Sequence, residues 1–78
     1  MVDGVGPDVA VLASDEQRRV IAALRALPTR QREALALKFY GELSEAEIAL
    51  AMGVSAGSVK THVHRGLAAL AVQLEEQA

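Results

Sequence analysis

Ser58 and His62 stand four residues apart, His62 and His64 two apart, and Lys60 and Arg65 lie on either side of them. Three chemistries could use such a set: a hydroxyl nucleophile with its base, a histidine metal site, or a cationic surface for an anionic partner. On a helix, side chains at i and i+4 touch, so Ser58 and His62 could pair. A nucleophile also needs its base oriented by a third group and an oxyanion hole. No Asp or Glu occurs between Glu47 and Glu75, so no acid on that helix orients the imidazole. His62 and His64 are about 200° apart around a helix and cannot grip one ion together. With no cysteine in the chain and no carboxylate nearby, further ligands are missing. No catalytic residue, metal or other cofactor is expected, and the chain reads as a non-enzyme. What remains is an acid-free polar surface suited to a polyanion.

That surface must be carried by helices. Ala and Leu dominate the 78 residues, the aromatics are Phe39 and Tyr40 alone, and β-branched residues form no alternating runs. Residues 1–13, with Gly4, Gly6 and Pro7, read as a flexible linker or tail. Ser14 with Gln17 makes a capping box that opens a first helix reaching about Leu27, with Val20, Ile21, Leu24 and Leu27 on one face. Pro28 stops it and can enter the first turn of the next helix. The second helix runs from about Thr29 to Tyr40, with Ala34, Leu35 and Leu37 apolar and Arg30, Arg32 and Lys38 outward. Gly41 is expected to supply its left-handed cap. Ser44 and Glu47 form a second capping box for a short helix from about Glu45 to Met52, ended by Gly53. Ser55 caps a fourth, from about Ala56 to Leu74, with Val59, Val63, Leu67, Leu70 and Leu74 as its apolar face. Glu75 and Glu76 oppose the helix dipole, so its last turn is expected to fray.

A domain of this length buries only roughly 60–65% of its unfolded surface and has little stability to spare. The absence of cysteine suits a reducing cytosol. No apolar run approaches the roughly 18–20 residues of a membrane span, and no signal peptide opens the chain. Net charge is −2, which taken as a sum argues against nucleic acid. Its distribution points the other way: acids collect at the amino end and at Glu33, Glu42, Glu45 and Glu47, leaving Lys60 and Arg65 in an acid-free interval.

Two helices joined by a glycine-containing turn of about four residues form the helix-turn-helix pattern. Ile48, Met52, Val54 and Val59 are expected between them, with Ala49 at the crossing and Gly53 at the turn. The face of the fourth helix opposite Val59 then carries Gly57, Lys60, Thr61, His64 and Arg65, with Ala56 and Ser58 at its exposed start. Such a helix can lie in a DNA major groove with its amino end against base edges. Ala56, Gly57 and Ser58 permit close approach; Lys60 and Arg65 reach guanine or phosphate, and Thr61 a thymine methyl or a phosphate. Ser55 and the free amides beside it suit a phosphate oxygen. His64 is the better base reader of the two histidines, and His62 the more structural. The fold class expected is all-α, a small four-helix domain with a helix-turn-helix, of the winged-helix-like DNA-binding class without a wing.

These residues also resemble a family. The run from Leu27 to Leu70 is similar to region 4, the carboxy-terminal DNA-binding domain, of extracytoplasmic-function sigma factors of bacterial RNA polymerase. An "L-P-x-x-x-R" opening stands at Leu27, Pro28 and Arg32, and "L-S-x-x-E-I-A" at Leu43, Ser44, Glu47, Ile48 and Ala49. A "G-x-S-x-G-[ST]-V-K-[ST]" run stands at Gly53, Ser55, Gly57, Ser58, Val59, Lys60 and Thr61, and "H-R-G" at His64, Arg65 and Gly66. One departure is "YGELS" where many members have "EGLS". The resemblance implies that residues 14–78 are a sigma region 4 domain whose fourth helix reads the −35 promoter element, with Arg32 joining Ser55, Ala56, Gly57, Ser58, Lys60, Thr61, His64 and Arg65 in the DNA-binding set. It implies an apolar surface on the other helices that docks on the RNA polymerase β flap, and an anti-sigma factor as a further partner. Region 2 of such factors has no counterpart in the 78 residues, so the chain is expected to be one domain of a longer factor. A bacterial, cytoplasmic monomer without a membrane partner follows from the same resemblance. Two rivals remain: a LuxR-type response-regulator effector domain, and a helical protein-interaction module whose polar face touches no DNA.

Overall fold

The computed structural model describes residues 14–77, and the linker expected over 1–13 lies outside them. Both capping boxes form. Ser14 Oγ accepts from Gln17 N at 3.1 Å and Gln17 Oε1 accepts from Ser14 N at 2.9 Å, which satisfies two amides that a helix start leaves without partners. Helix α1 follows as Asp15–Arg25 and stops short of Leu27, because Ala26 and Leu27 donate to Ala23 and Leu24 in tighter three-residue turns. Pro28 sits at the N-cap position, with φ −55° and ψ 146°, just outside the helix it was expected to enter. Helix α2 is Thr29–Phe39. After the loop, Ser44 Oγ accepts from Glu47 N at 3.1 Å and Glu47 Oε1 from Ser44 N at 2.8 Å, and α3 spans Glu45–Met52. Gly53 ends it at φ 70°, a left-handed conformation glycine adopts at little cost. Helix α4 is Ala56–Gln77, 22 residues. It continues one turn past Leu74 and takes in Glu75 and Glu76.

The end of α2 corrects one expectation. Tyr40 is right-handed, and the left-handed residue is Glu42, at φ 56°, two positions after Tyr40. Gly41 is needed for another reason: a Cβ on it would lie 2.8 Å from the Leu37 carbonyl oxygen. Its N–H closes the helix end on Ala36 O at 3.0 Å, while Leu43 N reaches Leu37 O at 3.1 Å.

Ala34, Ile48, Met52 and Val59 form the buried cluster, with Leu37, Leu43, Ala49, Val54 and Val63 packed against it. Complete burial of Ile48 or Val59 contributes about 1.5–3 kcal/mol apiece. Ala23 on α1, Leu27 at its end and Leu35 on α2 are buried as well. The stripe on α4 differs from the expected one. Leu67 is 44% exposed, and Gly66 is buried in its stead. A Cβ on Gly66 would stand 3.1 Å from Leu35 Cγ and Cδ1 and 3.4 Å from Gln31 Cβ, so α4 meets α2 backbone to side chain at this point. That approach centres the stripe on Val59, Gly66 and Leu70 and leaves Leu67 about 80° round from Val59. The fold is all-α throughout the described residues.

Candidate nucleic-acid interface

Gly53, Val54 and Ser55 connect α3 to α4. Val54 N donates to Ala49 O at 3.0 Å, folding the turn back over α3, and half-buried Val54 packs on the core. Ser55 then caps α4: its Oγ accepts from Ser58 N at 3.1 Å and donates to Ser58 Oγ at 3.0 Å. Its carbonyl accepts from Val59 N at 3.1 Å. Ser58 is therefore the first-turn partner of the cap, its amide and hydroxyl both engaged by Ser55.

With Val59 fully buried, the 100° helical step sends Gly57, Lys60, Thr61, His64 and Arg65 to the far side. All five are exposed, as are Ser55 and Ala56; Ser58 is half-buried. Thus eight of the nine residues expected to meet DNA lie together at the start and on the outer face of α4. His62 is half-buried and His64 exposed. A Cβ on Gly57 would meet only Ser55 Oγ, at 3.9 Å, so the backbone there is open to a partner's edge. Thr61 Oγ1 donates to Gly57 O at 3.2 Å. Its proton is committed to the helix, and it offers outward an acceptor oxygen and a methyl group. Ser55, Gly57, Ser58, Thr61 and His62 line an open depression of about 330 Å³ at the amino end of α4. The first-turn amides there lack intrahelical acceptors, and the helix dipole favours an anion beside them.

The ninth residue lies elsewhere. Arg32 is on α2, and its guanidinium donates to Arg25 O at 3.2 Å and to Thr29 Oγ1 at 3.5 Å. It clamps the carboxyl end of α1 at the Leu27–Pro28 corner, a place its role in the "L-P-x-x-x-R" motif did not reveal. Charge on α4 follows the sequence pattern: Lys60 and Arg65 face out, and the carboxylates of α3 gather at its opposite, amino-terminal end. There the Glu47 carboxyl is held below its ordinary range, first by the Ser44 N–H and then by the Ser44 hydroxyl.

A second surface was not located residue by residue in the sequence. Val20, Leu24, Leu35, Phe39, Tyr40, Leu67 and Leu70 line an apolar groove of about 250 Å³ between α1, α2 and α4. Phe39 and Tyr40 on its rim are 54% and 67% exposed. The signal for it was "FY" at the end of an amphipathic helix, which solvent exposure alone turns into a surface feature.

The family described as Sigma-70, region 4 matches residues 17–70. The chain is similar to the ECF RNA polymerase sigma factor SigW of Bacillus subtilis, 36% identical over 76 residues, covering 97% of this chain and 41% of the relative. It is likewise similar to the RNA polymerase sigma-E factor of Streptomyces antibioticus, 38% identical over 73 residues, 88% of this chain and 41% of that one. The ECF RNA polymerase sigma factor SigD of Mycobacterium tuberculosis is 37% identical over 62 residues, 80% of this chain and 29% of the relative. The chain thus spans well under half the length of these relatives.

Proposed function

The chain belongs to the sigma-70 region 4 family, and from that membership we propose that it is the −35 promoter-recognition domain of an alternative sigma factor. The observation that carries the reading is the exposed, acid-free arc of α4, opposite fully buried Val59 and launched from the Gly53 turn. Docked in a major groove, Ser55 and the first-turn amides meet a phosphate, Ala56 and Gly57 let the backbone approach, and Lys60, Thr61, His64 and Arg65 supply donors and a methyl to base edges or flanking phosphates. Arg32 acts through the α1–α2 corner. Residues 14–78 form the domain, and 1–13 the link to the portion of the factor that melts the promoter.

In this reading the apolar groove is the surface that meets the β flap of RNA polymerase, and an anti-sigma factor silences the domain by covering either face. The polymerase places it in the bacterial cytoplasm, as a monomer. No helix among the described residues is long and apolar enough to cross a membrane. A domain delivered to DNA by a large enzyme needs little affinity of its own, so the isolated chain should bind duplex weakly, with strong salt dependence.

The test uses a full-length sigma factor in which residues 14–78 replace the corresponding region of a relative. Selection on promoters randomised at the −35 element should recover a defined sequence, and Lys60→Ala with Arg65→Ala should abolish promoter-specific transcription. Each single substitution should reduce the salt slope of duplex binding by about 1 if the cation meets a phosphate. Intact promoter-specific transcription by the double variant would remove α4 from the role.

A further inference from the structure

Helix α3 has acids in its first turn, Glu45 and Glu47, but no basic residue in its last. Its carboxyl end, where the dipole is negative and carbonyls lack intrahelical donors, is the end that launches the turn into α4. Backbone amides answer part of the need: Gly53 N donates to Leu50 O at 3.3 Å and Val54 N to Ala49 O at 3.0 Å. Met52 O is answered from another helix. Arg30, on the first turn of α2 and 22 positions away in sequence, donates through Nη1 to Met52 O at 3.1 Å in a part-buried bond. The same nitrogen lies 3.3 Å from Glu33 Oε1, a carboxylate one turn along α2 that fixes the guanidinium in place. Met52 is thus held twice, its side chain in the cluster with Val59 and its carbonyl by Arg30.

We propose that Arg30 is a positioning residue for DNA recognition: it supplies the cation that α3 lacks and locks the helix-turn-helix turn onto α2. Three features make the turn need such a brace. The α2–α3 connection runs through Glu42 in a left-handed conformation, which a glutamate adopts at a cost. Helix α3 has only eight residues, too few to hold itself. And Gly53, which a brace on Met52 O immediately precedes, is the most conformationally free residue of the turn. Arg30 acts through Met52 and touches no base in this arrangement; both its side chain and that of Glu33 are about half exposed, at 52% and 47%, so the bond is a latch on the surface of the α2–α3 seam.

This inference rests on the reading of α4 as the DNA-reading helix, and the experiment separates the two. The 78-residue chain and its Arg30→Gln and Arg30→Lys variants are compared well below their melting temperatures. Amide hydrogen exchange is followed residue by residue. Affinity is measured across a salt series for a duplex carrying the −35 sequence recovered by selection. Arg30→Gln should speed exchange at residues 53–58 about tenfold with α1 unchanged, and weaken DNA binding about five- to tenfold with an unaltered salt slope. Arg30→Lys, which keeps a cation, should restore part of both. A salt slope lowered by about 1 would make Arg30 a phosphate contact and overturn the proposal. Faster exchange spread evenly over all four helices with unchanged affinity would reduce it to general stability and overturn it too. Because the isolated chain should bind weakly, the series begins at low salt: no duplex binding by the unsubstituted chain even there would overturn promoter reading, whereas unchanged exchange at residues 53–58 in Arg30→Gln would overturn the brace alone.

Discussion

Gly41 and Glu42 divide between them two jobs that one glycine usually does at a helix end. Gly41 is there for space, with the Leu37 carbonyl oxygen 2.8 Å from where a Cβ would be, and Glu42 takes the positive φ of 56°. The pair predicts opposite outcomes for two small changes. Gly41→Ala should destabilise by about 1–3 kcal/mol, since the obstacle is backbone and cannot swing away. Glu42→Gly should stabilise by about 0.5–1 kcal/mol by relieving a left-handed glutamate. Urea unfolding followed by circular dichroism measures both. The sequence made the stop visible at Gly41 but not its geometry, because the residue that turns left-handed depends on how the loop must return Leu43 to Leu37. The outward-facing residues of α4 were easier to read. Once Val59 is inside, the helical step alone sends Gly57, Lys60, Thr61, His64 and Arg65 out, and no long-range knowledge is needed. Arg30 and Arg32 were not legible as helix-end clamps, since the carbonyls they serve belong to other helices.

At the scale of the helices, the two capping boxes are chemically unequal. The box of α1 closes with the amide of Gln17, and that of α3 with the carboxylate of Glu47. Because the Glu47 carboxyl is held below its usual value of 4.5 by Ser44, the stabilisation is complete above that value. It is lost as pH falls through the lower, folded one. Acidification should therefore loosen α3 ahead of α1, seen as earlier loss of amide protection at its first turn. Glu47→Gln should flatten that dependence, since glutamine already serves in the other box. Ser44→Ala, which removes the cap itself, should cost about 1 kcal/mol at neutral pH. Both boxes were readable because Ser-x-x-Gln and Ser-x-x-Glu are local signals. The face of α4 was readable only in part. Leu67 fits a 3.6-residue stripe about as well as Gly66 does, and the choice goes with Leu35 of α2, whose Cγ and Cδ1 would lie only 3.1 Å from a Cβ on residue 66. Local spacing carries no trace of that neighbour.

For the molecule as a whole, two surfaces of different character sit on one small body: a polar, acid-free face at the start of α4 and an apolar groove at Leu67 and Leu70, farther along the same helix. If the groove meets polymerase as proposed, Tyr40→Ser with Leu67→Ser should weaken binding to core enzyme about tenfold or more, as loss of exposed apolar anchors does elsewhere. Affinity for duplex DNA should stay unchanged. Pull-down with core enzyme and anisotropy with DNA would separate the two, and a parallel loss of both would tie the groove to folding. The 22 residues of α4 join these surfaces without a break. Gly66, pressed against Leu35, falls near the middle, about 15 Å from the amino end at 1.5 Å per residue. If α4 reads DNA as proposed, a tilt of about 4° at that contact would carry its amino end through about 1 Å, a distance on which hydrogen bonds to base edges are made or lost. The groove grips α4 at Leu67 and Leu70, immediately past Gly66, so a partner seated there would bear on the same pivot that sets the angle of the outer face.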